Sequence, residues 1–176
     1  MAETVNQHIQ SWATDPIVEL YELDLAPIGQ TTVYRFTPMV KESLAVVQFG
    51  GQTWQPLPIQ GDGFQYSNKD APAKPTLTIG NLNKTMLTAV LSYGDLVGAK
   101  LTRYRTFRRF LTDGSSPDSA AYLPKDIFFV ERKLSHNRNF IQWQLTSALD
   151  KMGTKLPKRL FLIRDFPGLS KTRFRN

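Results

Sequence analysis

At 176 residues the chain is long enough for one domain whose hydrophobic core needs no staples. It contains no cysteine, which excludes disulfides, thiolate catalysis, cysteine-type zinc sites and cysteine-held iron–sulfur clusters within these residues. The net charge of +7 divides into −4 over residues 1–96 and +11 over residues 97–176, so the second half suits an anionic partner, either nucleic acid or an acidic protein surface.

Residues 2–11 read as a short helix that stops before Asp15-Pro16. Ile17–Leu25 alternates apolar and polar from Val18 onward, a half-buried strand with Glu22 and Asp24 on its solvent face. Thr32–Phe36 is its hairpin partner across a loop with Pro27 and Gly29. Ala45–Phe49 and Gln52–Trp54 flank Gly50-Gly51, a hairpin turn in which both positions can take φ > 0. Gly61-Asp62-Gly63 marks a bend or bulge. Residues 67–75 read as an exposed loop and Thr76–Ile79 as a short strand. Asn81 suits the N-cap of a helix over 82–92, with Leu82, Met86, Leu87, Val90 and Leu91 on one face. Lys100–Leu111 reads as a long strand and residues 112–124 as a loop. Asp126–Leu134 and Phe140–Leu145 form a hairpin. Residues 151–176 carry eight Lys/Arg and one acid with no clear periodicity. Their apolar groups, among them Leu160, Phe161, Phe166 and Phe174, are too many for a solvated tail, so an extended arm is expected.

About seven strands and one helix predict a mainly β (α+β) domain over 1–150: a β-sandwich or barrel with one flanking helix, followed by the basic arm 151–176. No run of about eighteen apolar residues occurs, so no membrane span is expected. The first residues lack the basic and apolar regions of a signal peptide, so assembly in a cytoplasm is expected.

Catalytic motifs are absent. His8 and His136 are the only histidines, no ligand pair has metal spacing, and no cofactor or metal is expected. No nucleophile elbow, P-loop or dinucleotide fingerprint occurs. Glu22 and Asp24 share a strand face, but that face is the solvated one, which leaves a glycan hydrolase without its carboxylate pair. The segment Arg103–Phe110 interleaves cations with aromatics. One reading is a single-strand groove, making the chain a nucleic-acid-binding β-barrel. Strand alternation splits the aromatics between two faces, which favours a second reading: arginines that pair with carboxylates of a neighbouring subunit. The candidate interface is Arg103, Arg105, Arg108 and Arg109, with Lys158, Arg159, Arg164, Phe166, Arg173 and Phe174 in the arm.

Several segments, in order, resemble the minor tail protein L family of lambda-like tailed phages. They include Val18–Asp24, Gly50-Gly51-Gln52-Thr53-Trp54, Pro58-Ile59, Gly63-Phe64 and Lys74-Pro75-Thr76-Leu77. Asp95-Leu96-Val97-Gly98-Ala99, Thr102–Phe107, Pro124–Lys133, Gln144–Asp150 and Lys155–Arg159 follow. The resemblance implies a non-enzymatic virion protein on a tail-tube-like β fold. It would form a ring of its own copies, three rather than six, at the tail tip. The ring would sit between a distal tail ring protein and the central tip or receptor-binding protein. DNA would pass through its lumen in transit, and no membrane would be touched. Family members continue into a domain with four cysteines that holds an iron–sulfur cluster. Here Asp165–Asn176 stands in that place without cysteine, so no cluster is expected and the arm would anchor instead.

Overall fold

The strands of this chain cannot lie flat. The computed structural model describes residues 15–38, 46–64, 74–80, 85–137, 139–151 and 154, with Val5 and Ile9; for 85–87 and 89 it describes the backbone alone. In chain order the elements are β1 (Ile17–Asp24), β2 (Val33–Thr37), β3 (Val47–Phe49), β4 (Gln52–Pro56), β5 (Ile59–Asp62) and β6 (Thr76–Gly80). Helix α1 (Thr85–Ser92), β7 (Lys100–Phe107), β8 (Asp126–His136) and β9 (Phe140–Thr146) follow. The strands pair in the order β3-β4-β2-β1-β7-β8-β9-β6-β5. From β4 to β5 this path takes seven strand-to-strand steps, about 33 Å across a flat sheet. Yet only Leu57 and Pro58 separate the two strands, a reach of about 11 Å. The sheet therefore curls until its two ends nearly meet, which gives the mainly β, barrel-like form.

The curl makes an inside. Tyr21 and Leu23 of β1, Phe36 of β2, Leu77 and Ile79 of β6, and Leu101, Phe128, Ile141 and Trp143 of β7–β9 form one buried cluster. Phe64, just past β5, packs on it, its ring against both Tyr21 and Phe128. The outer face of β1 is covered too. Val18 and Leu20 pack under Val47, Phe49 and Trp54 of the β3–β4 hairpin. The expected half-buried strand is therefore buried on both faces, because a second layer closes over it. Glu22 and Asp24 do share the outer face. Glu22 bonds Arg35 at 2.8 Å, and Asp24 accepts the N–H of Ala26.

The Gly50-Gly51 hairpin forms as expected, with φ of 63° and 71° and Phe49 opposite Gln52. The expected bend at Gly61-Asp62-Gly63 falls at the end of a strand: β5 pairs with β6 so that Gly61 faces Leu77, and Gly63 follows with φ of 79°. A Cβ at Gly61 would lie 2.6 Å from the Phe64 ring, so the glycine serves packing as well as bending. The expected strand to Leu111 stops at Phe107. Arg108 N–H turns to Pro16 O, and Arg108–Phe110 becomes a 3-10 turn. The helix lies within the expected span, and Val90 is buried, but Leu91 is 71% exposed rather than on the core face. The β8–β9 hairpin closes at Asn137, whose Oδ1 accepts the N–H groups of Asn139 and Phe140. The expected loop at 67–73, the N-cap Asn81 and all but Lys151 and Thr154 of the arm lie outside the described residues, as does the first helix apart from the helical Val5 and Ile9. No helix among the described residues is long and apolar enough to cross a membrane.

The loop after β7 folds tightly on itself, with Gly114 N–H donating to Leu111 O and Ser116 N–H to Arg109 O. A Cβ at Gly114 would lie 2.2 Å from Arg109 O and 2.7 Å from Arg108 O, and backbone cannot step aside cheaply. Gly114→Ala is expected to destabilise the domain by about 1–3 kcal/mol, read from urea unfolding.

Candidate functional site

Strand register gathers the charged groups of the enclosed face. Pairing of β1 with β7 sets Tyr21 opposite Arg103 and Glu19 opposite Arg105. Pairing of β7 with β8 sets Arg103 opposite Asp126. Arg103 forms an ion pair with Glu19, and its second terminal nitrogen lies 3.6 Å from Asp126 Oδ2. Arg105 approaches the same oxygen at 3.6 Å. Tyr21 donates its phenol O–H to Glu19 Oε2 at 2.6 Å. The Arg103 guanidinium also stands over the Phe64 ring, 4.6 Å from its centre. Burial, and then the bond to Glu19, push the Tyr21 phenol well above its ordinary value. The Arg103 side chain is 12% exposed and Asp126 7%, so the centre of the cluster sits mostly out of water, whereas Glu19 and Arg105 at its rim are half-buried. Charges held there are tolerated only with their partners in place.

Of the candidate interface residues, Arg103 and Arg105 thus meet carboxylates of their own chain. The expectation had given them partners on a neighbouring subunit. Arg108 is exposed and lines an open cleft with Pro16, Ile17, Val18, Glu19 and Pro38. Arg109 is half-buried, its guanidinium 5.9 Å from the centre of the Phe110 ring. Lys158, Arg159, Arg164, Phe166, Arg173 and Phe174 lie outside the described residues.

The aromatics of this stretch do not make a stacking platform. Phe107 and Phe110 are buried with Ala121, and Tyr104 is edge-on to both Trp54 and Tyr122. Nor do Glu19 and Asp126 face each other across free space. Glycoside hydrolysis needs two carboxyl groups flanking a substrate, and here Arg103 stands between them. Among the described residues no three metal-ligating side chains converge. The charged cluster instead ties β1, β7 and β8 together.

Residues 26–173 match the family model described as phage minor tail protein L. The chain belongs to the phage minor tail protein L family. It is 33% identical over 109 residues to tail tip protein L of Escherichia phage lambda, covering 62% of this chain and 46% of that protein. The chain therefore spans about half the length of that relative. Its fold is similar to that of a chain in the virion of a native gene transfer agent particle, with a TM-score of 0.59. That match has 14% identity and covers 90% of this chain and 49% of the other.

For this family member, sequence reasoning found Arg103 and Arg105 but not what they hold. Glu19 and Asp126 lie within the expected strands Ile17–Leu25 and Asp126–Leu134. A signal was present in the strand pattern: Glu19 shares a face with Tyr21 and Leu23, an acid among core residues that calls for a buried cation.

Arg103→Met is expected to destabilise the protein by about 3 kcal/mol, since it leaves Glu19 and Asp126 short of a partner; denaturant titration measures this. The raised Tyr21 phenol gives a second test. Its contribution to stability is intact below pH 10, where the unfolded phenol also holds its proton, and is lost as pH climbs above 10. Unfolding free energy of the native chain should therefore fall more steeply above pH 10 than that of Tyr21→Phe.

Proposed function

We propose that this chain is a non-enzymatic building block of a phage tail tip. Its copies form a ring between the distal tail tube and the central tip or receptor-binding protein, around the path taken by DNA. The observation that carries this reading is the family match over residues 26–173, which takes in β2 to β9 and reaches into the basic C-terminal segment. The arrangement of charge supports it. Arg103 and Arg105 are held within the fold, whereas Arg108, Lys125 and Arg132 are exposed on the basic half.

The proposed contact is head-to-tail: the basic half of one copy meets the acidic half of the next, and rotation closes the ring. Arg108 beside the exposed Ile17 is the described part of that contact. Residues 151–176 act as an arm that reaches a neighbour, with Lys158, Arg159, Arg164, Phe166, Arg173 and Phe174 as its contact residues. Three copies are favoured over six.

Reconstruction of native particles by electron microscopy tests this reading. A threefold ring of this chain around an open lumen is expected; its absence from the tail tip would overturn the proposal. Arg108→Glu combined with Lys125→Glu should lower incorporation into tails about tenfold, while the isolated protein keeps its stability within about 0.5 kcal/mol. Normal tails from that variant would remove Arg108 from the interface.

A further inference from the structure

The segment Asp95–Ala99 belongs to the family resemblance, yet nothing in the ring reading uses it. Its backbone is unusual. Gly94, Asp95 and Leu96 follow one another with φ of 59°, 61° and 62°. Leu96 N–H donates to Tyr93 O at 3.3 Å and Val97 N–H to Gly94 O at 3.4 Å. This is one turn of a left-handed helix, a form that side chains bearing a Cβ disfavour. A leucine there is a true outlier, and such residues persist only where the surroundings over-determine them.

The surroundings do so here. The Leu96 side chain is fully buried in the main core. The Trp143 indole N–H donates to Asp95 O at 3.0 Å. The Lys133 ammonium lies 2.5 Å from Asp95 Oδ1. Past the turn, Gly98 N–H donates to Val130 O and Val130 N–H to Ala99 O. A Cβ at Gly98 would lie 3.3 Å from Ile28, so this turn also packs against the β1–β2 connection. Helix α1 runs directly into the turn, and Leu91 near its end is 71% exposed. Of these anchors, the ion pair is the one open to solvent: its side chains are 25% and 44% exposed.

We propose that residues 93–98 are a loaded latch. Lys133 and Trp143 hold the turn in its left-handed form, and loss of the Lys133 anchor lets the turn relax and loosens the end of α1, while Val90 keeps the helix seated on the core. The strain lies in the turn, and the moving part is the end of the helix with its exposed leucine.

Hydrogen–deuterium exchange on the full chain tests the latch. In Lys133→Met, exchange across 91–99 should rise about tenfold while β1 and β7 stay unchanged. Adding Asp95→Gly to that variant should bring exchange at 93–99 back toward the native rate, because glycine takes this φ without strain. Three results would overturn the proposal. One is no change in Lys133→Met. Another is a rise spread over the whole sheet. The last is a double variant that exchanges no slower than Lys133→Met alone, the behaviour of an unstrained turn in which glycine adds only freedom.

Discussion

Two residues, Leu57 and Pro58, set the constraint on which the rest of this fold depends. They join strands that stand near opposite ends of the pairing order, so the sheet must curl. Gly80 N–H donates to Pro58 O at 2.7 Å, and Leu57 N–H donates to Thr37 O at 3.0 Å. The link thereby ties β6 to β2, strands otherwise separated by β1, β7, β8 and β9 in the pairing order. Curling creates an inside, and an inside makes demands on every side chain that faces it. Leu23, Leu101 and Ile141 meet them with apolar area. Glu19, Arg103 and Asp126 meet them by neutralising one another.

The enclosed face is therefore graded along the strands. Toward the start of β1 it holds the ion pairs of Arg103, with Phe64 lying against the guanidinium. Toward the start of β7 it is apolar, closed by Ile28, Tyr93 and Leu96. The left-handed turn belongs to this apolar end. Burying Leu96 there offsets a backbone that would relax if the side chain were solvated. A structural tail protein gains from such an arrangement, because its surface features then stand on a shell held at both ends.

Much of this was legible in the sequence. Period-two patterning placed most strands, and the Gly50-Gly51 hairpin followed from the turn chemistry that φ > 0 demands. What escaped were features decided by distant parts of the chain. Strand β5 is short and holds Gly61, and its pairing comes from β6 across a long connection. The end of β7 at Phe107 depends on Pro16, about ninety residues earlier. Leu91 fits the helical stripe, yet the turn after α1 leaves it in water. The arginines were visible as a cluster, but their partners were not. Local pattern says which face a residue takes and stays silent on what stands across the sheet.

Strand β9 lies between β8 and β6, with partners on both edges. Remove it and the sheet falls into two pieces, a six-stranded β3–β8 portion and the β5–β6 hairpin. As a ribosome makes the chain, β5 and β6 emerge long before the strand that joins them to β8. Their edges stay open until residue 146 is free, and the closing contacts are among the most distant in sequence, a topology that folds slowly. The chain thus completes its shell only once β9 has left the ribosome. A partner that recognises the closed shell would bind chains whose β9 is in place and pass over those in which it is still missing.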